Sequence, residues 1–108
     1  MRNKPTFQEG MSAATRLKKA IQKQKSIRLY HVFLFGSVAR QTSHEWSDID
    51  IAVVCDSFDP SKVKEARALY ALDPKRDVRM SLVILHPEEM QNKYSTIADE
   101  IKKDGVEV

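Results

Sequence analysis

Apolar positions along this chain change period several times, and each change marks an element. Over residues 12–24, with Met11 just ahead, the apolar side chains Met11, Ala14, Leu17 and Ile21 recur every third or fourth position, and Lys or Gln fills much of the rest. That spacing predicts an amphipathic helix. Residues 29–35, LYHVFLF, are aromatic, β-branched and nearly continuous in hydrophobicity, which predicts a strand covered on at least one face. Gly36 stops it. A short helical turn over 37–41 and a polar loop over 42–47 then lead into a second strand at 48–54. There Asp48, Asp50, Ala52 and Val54 point one way and Ile49, Ile51 and Val53 the other, because strand side chains alternate with period two.

Asp59-Pro60 reads as a helix start, the Asp as cap and the proline at the first helical position, with Val63, Ala66, Leu69 and Tyr70 as the buried stripe. Residues 78–85 predict a third strand, with Val78, Met80, Leu82 and Ile84 on one face and Arg79, Ser81, Val83 and Leu85 on the other. Pro87-Glu88-Glu89 opens a last helix with negative charge near its positive end; Met90, Tyr94, Ile97 and Ile101 form its apolar stripe and Gly105 ends it. The order is helix, strand, short helix, strand, helix, strand, helix, which is an α/β alternation. No repeat, linker or low-complexity block interrupts it. The expected fold is a single domain over 1–108: two layers, a mixed sheet with helices packed on one face. The opposite face is left for a ligand, and Asp48 and Asp50 project onto it.

Composition narrows the function classes. The 108 residues fit one domain of common size, and 42% hydrophobic with 31% charged residues excludes a disordered or fibrous chain. Net charge is +3, from 18 basic and 15 acidic residues spread over several segments, so charge gives nucleic-acid binding little support. Lys18, Lys19, Lys23 and Lys25 read as the wet face of the first helix. Cys55 is the one cysteine; no intramolecular disulfide can form, a reducing, cytoplasmic compartment is expected, and after an apolar run Cys55 reads as a small buried hydrophobe. No apolar stretch approaches the ~20 residues that span a bilayer, and residues 1–9 lack a signal-peptide core.

Two carboxylates on one face of a strand, two residues apart, repel by about 2 to 3 kcal/mol at an effective dielectric of ~20. A solvated strand start tolerates such a pair; a bound cation resolves it. Magnesium takes carboxylate oxygens, keeps several waters and leaves positions for phosphates. Upstream, Phe35-Gly36-Ser37-Val38-Ala39-Arg40 ends a strand in Gly-Ser and enters a helix. A helix start offers backbone donors and partial positive charge to an anion, glycine permits close approach, and Ser37 adds a hydroxyl. Arg40, one turn on, can reach the same anion with a charge-assisted bond.

Together these pieces give Gly36-Ser37, ten intervening residues and Asp48-Ile49-Asp50. In FLFGSVAR and SDIDIAVV the chain resembles the minimal nucleotidyltransferases of the DNA polymerase β superfamily, and the predicted elements extend the similarity over about the whole chain. The resemblance implies transfer of a nucleoside monophosphate, usually AMP from ATP, to an acceptor hydroxyl, with pyrophosphate leaving. Gly36 and Ser37, with Arg40 and Ser47 beside them, would hold the phosphates; Asp48 and Asp50 would ligate magnesium, with two ions possible. Catalysing members usually carry a third carboxylate on a later strand, and here Ser81 takes its place. Asp77 lies on the same face as Ser81 by parity, but four residues and about 13 Å earlier along an extended strand, so it replaces the missing acid only if the strand is shifted or bulged. The glycine usual after Ala-Arg is replaced by Gln41, which is expected to stiffen the loop.

His44 and Trp46, in the loop before the acids, either meet a nucleobase or, for Trp46, cover the core edge with His44 solvated. His31 and His86 have no partner at metal-ligand spacing and read as structural. Short stand-alone members of the resembling family are often antitoxins paired with a HEPN-domain toxin, so a protein acceptor is expected; a homo-oligomer is the other partner allowed. Neutral Ser81 supports the opposite class, a nucleotide-binding partner module that does not transfer.

Overall fold

The computed structural model describes residues 3–108, so the first two positions of the 1–9 segment lie outside the described residues. Helix α1, Phe7–Gln22, begins earlier than its apolar stripe predicts because of its cap: Thr6 Oγ1 accepts from the Glu9 amide at 3.1 Å, and Glu9 Oε1 accepts from the Thr6 amide at 3.0 Å. This reciprocal box satisfies two donors that a helix start otherwise leaves unpaired. Strand β1 is Leu29–Phe35, α2 is Gly36–Arg40 and β2 is Ile49–Cys55. Helix α3, Lys62–Ala71, is capped by Ser61, whose hydroxyl accepts from the Lys64 amide. Asp59 instead accepts from the Ser61 amide at 2.8 Å, so Asp59-Pro60 forms the turn before the helix and not its first residues.

Strand β3 spans Met80–Leu85, two residues shorter than expected. The predicted last helix is two: α4, Pro87–Met90, and α5, Thr96–Asp104. Between them Asn92 accepts from the Tyr94 amide and Ser95 from the Ala98 amide; side chains that bond nearby backbone in this way divert the chain from a continuing helix. Tyr94 is accordingly exposed, not part of the stripe. A two-residue strand, β4 at Val106–Glu107, follows Gly105 and was not expected.

The four strands form one mixed sheet in the order β3-β2-β1-β4. β1 runs antiparallel to β2 and β4, while β2 and β3 are parallel, the helix α3 supplying the long crossover that a parallel pair needs. Against one face pack Ala13, Ala14, Leu17 and Ile21 of α1 and Leu69 of α3, meeting Val32, Leu34, Ile49, Ile51, Val53 and Ile84. The other face carries Phe35, Ala52, Val54 and Leu85, which Ile101 and Ile97 of α5 cover in part. The mixed sheet is as expected, but the helices do not pack on one face alone: α5 covers part of the opposite face, the one that carries Asp50 and Ser81, so the two-layer expectation is corrected. Among the described residues no helix is long and apolar enough to cross a membrane.

Helix α3 corrects the expected stripe in an instructive way. Val63 is exposed, and the buried members are Leu69 and Glu65, the latter with no accessible surface. Buried carboxylates need partners. Glu65 has them: the Phe58 amide donates to Oε2 at 3.0 Å, and His86 Nε2 lies 3.0 and 3.2 Å from the two oxygens. Replacing Glu65 with alanine is expected to cost about 2 to 4 kcal/mol, by leaving a buried amide and an imidazole without their acceptor. Urea denaturation measures it, and an unchanged midpoint would remove Glu65 from the structural core. Burial also pushes the neighbouring Cys55 thiol up to about 11, with Glu65 and Asp56 adding to the effect, which makes Cys55 the inert hydrophobe its sequence setting suggests.

Candidate functional site

Strand β1 delivers the chain into a corner that only glycine fits. Gly36 has φ +75°, a left-handed backbone unfavourable to any side chain with a Cβ. A Cβ there would also lie 2.2 Å from Asp50 Oδ2. The glycine corner and the second aspartate therefore touch, across the β1–β2 pairing that sets Phe35 opposite Asp50. Helix α2 begins directly at Gly36, and its N-cap, Phe35, provides no side-chain cap. At the far end Gln41 takes φ 61° and ψ 35°, the left-handed cap that glycine or asparagine usually supplies. Gln41 thus occupies a strained cap, which explains why glycine is the usual residue there better than loop stiffening does.

Asp50 is half-buried on β2 and Asp48 is exposed just ahead of the strand. Burial and then the Asp48 charge push Asp50 up to about 6; Glu100 adds to the rise and Arg40 opposes it. The four groups therefore share one electrostatic environment. Parallel pairing puts Ser81 in register with Asp50, so the serine stands beside the acid on the same face.

The remaining expectations divide. Ser47 is buried, and its hydroxyl accepts from the His44 amide at 2.9 Å; it closes the loop that presents Asp48. Trp46 is 68% exposed and its amide donates to His44 Nδ1. This self-bonded loop turns the indole outward, so Trp46 does not cover the core edge. Asp77 does not join the pair. It precedes β3 in a turn where Val78 is 94% exposed, so strand parity never reaches it. Its two oxygens take Arg79 Nε at 3.0 Å and Nη2 at 2.7 Å, and it lines a cavity with Thr6, Glu9, Arg16 and Asp73 beside α1. His31 pairs with Glu107 at 2.6 Å and His86 with Glu65, both structural as read. Lys19, Lys23 and Lys25 are exposed, whereas Lys18 donates to the Val108 carbonyl at 2.7 Å. Arg40 meets Glu100 and Asp104 of α5. Neither acid has a motif signal, since they lie on a helix some 50 residues downstream of Asp50 in sequence.

Among the described residues no group of three or more His, Cys, Asp or Glu is arranged to hold a metal ion. The donor set nonetheless suits magnesium, which one or two carboxylates hold while substrate phosphates and water complete its shell. A cation beside Asp50 would also favour its ionised form against the burial and the Asp48 charge that raise its proton affinity.

A glycine corner closed against a strand that bears Asp50, with Asp48 just ahead of it, within this mixed sheet, defines the class: an α+β protein of nucleotidyltransferase fold. The chain belongs to the nucleotidyltransferase domain family, whose model matches residues 14–107. It is a minimal nucleotidyltransferase, with general nucleotidyl transfer as the family's activity. No curated protein matches the chain.

Proposed function

We propose that this protein transfers AMP from ATP to a hydroxyl on a partner protein, in an antitoxin role toward a HEPN-domain toxin. The observation that carries the reading is the contact between Gly36 and Asp50, which sets the glycine corner against one acid of the carboxylate pair. Gly36 lets a phosphate approach the backbone, and the Ser37 hydroxyl donates to it. Asp48 and Asp50 hold magnesium, whose chemistry when bound is to neutralise charge on the phosphates. In the reaction the acceptor oxygen bonds to the α-phosphorus, the bond to pyrophosphate breaks and the acceptor proton leaves to water. The chain is one domain and acts in the cytoplasm; a second copy of the chain is the alternative partner, and Trp46 would meet the base.

A second reading has its own support. Ser81 stands in register with Asp50, and a neutral hydroxyl does not supply the charge that a third carboxylate would bring to a magnesium site, which favours a nucleotide-binding module that neutralises its partner by contact. Labelled ATP, magnesium and the partner protein separate the two. Slow labelling of the partner is expected, absent in Asp48→Asn and raised at least about tenfold in Ser81→Asp. Labelling in Ser81→Asp alone would leave the natural chain as the binding module, and none in either would defeat the transferase reading.

A further inference from the structure

Arg40 lies three residues beyond Ser37 on α2 and so faces the same side of the helix. In the structure its guanidinium is engaged with α5: Nη1 is 3.7 Å from Glu100 Oε1 and 3.5 Å from Asp104 Oδ2. The two acids are one turn apart, which presents both carboxylates to one cation. The distances are long and the Arg40 and Glu100 side chains well exposed, so each pair is weakly held. Helix α5 does not depend on them for its place, because Ala98 and Ile101 are buried, Ile101 among Phe35, Ala52, Val54 and Leu85. What the ion pairs fix is the guanidinium.

We propose that Glu100 and Asp104 are positioning residues of the nucleotide site: they hold Arg40 on α5 before nucleotide binds and yield it to the polyphosphate afterwards. This rests on the reading of the site as one for a nucleoside triphosphate. A phosphate gives a guanidinium short, charge-assisted and bidentate bonds, which exposed carboxylates at 3.5 to 3.7 Å do not match. The exchange therefore runs toward the phosphate, and occupancy of the site frees the acids of α5.

The test is calorimetric titration of magnesium-ATP into four proteins: the natural chain, E100Q/D104N, R40Q and the triple variant, with circular dichroism confirming each fold and R40K replacing R40Q if needed. E100Q/D104N is expected to tighten binding about 3- to 10-fold by releasing Arg40, and R40Q to weaken it about tenfold. The decisive comparison is the gain from E100Q/D104N with and without Arg40. Acids that merely repel phosphate from behind a fixed Arg40 give an equal or larger gain once Arg40 is gone. Acids that hold Arg40 in reserve give a smaller one. An equal or larger gain in the R40Q background, or weaker binding by E100Q/D104N, overturns the proposal. Failure of the natural chain to bind ATP overturns it together with the nucleotide reading, whereas binding with the wrong pattern overturns this proposal alone.

Discussion

Asp50→Asn is expected to lose nucleotidyl transfer by at least about 10²-fold while making the protein more stable in the absence of nucleotide and divalent ion. The two effects have one origin. Asp50 is held half-buried beside Asp48, and its carboxyl is raised from 3.8 to about 6. A group whose folded value is raised binds protons more tightly folded than unfolded. Its charged form therefore costs stability above pH 6, and the cost is relieved as pH falls through 6 toward 3.8. At pH 7 that cost is at most about 3 kcal/mol, and solvent screening of a half-buried group lowers it. Asparagine keeps the shape and removes the charge. Urea denaturation without divalent ions should show the variant more stable at pH 7, with the gap closing near pH 4. A variant that unfolds at the same urea concentration as the parent at both pH values would show that Asp50 is not under electrostatic strain.

The second large effect is at Gly36. Alanine there meets two separate penalties: a left-handed backbone at φ +75°, costing about 1 to 2 kcal/mol, and a Cβ 2.2 Å from Asp50 Oδ2. To admit that Cβ the Asp50 carboxylate has to turn away, which displaces the group proposed to hold the cation. Gly36→Ala should therefore both lower stability and abolish transfer. It differs from Asp50→Asn in the sign of its stability effect, and thermal unfolding run alongside the transfer assay distinguishes them. A folded Gly36→Ala with full activity would mean that the corner does not touch the reacting groups.

Sequence patterns were informative where the signal is local. β1 and β2 were legible because residues 29–35 and 48–54 are short apolar runs, the second alternating acids against Ile and Val. The corner was legible because Gly-Ser after a strand and a pair of acids ten residues on are both local. The start of α1 carries a T-x-x-E cap, which an apolar count does not register because capping is done by polar atoms. Asp77 misled for a related reason: parity holds only inside a strand, and β3 begins at Met80, after a turn fixed by the Asp77–Arg79 bonds.

By itself the sequence determined the order of most of the elements and the residues of the corner and the acid pair, since turns, caps and side-chain alternation depend on neighbours a few positions apart. Only the tertiary structure decided what meets what. It set Ser81 beside Asp50 through parallel pairing, buried Glu65 against His86, turned Trp46 outward and brought Glu100 and Asp104 over Arg40. Those outcomes depend on contacts between residues 21 to 64 positions apart, or on which face a loop leaves uncovered. No local period encodes them, because their energies arise only when the sheet and helices have packed.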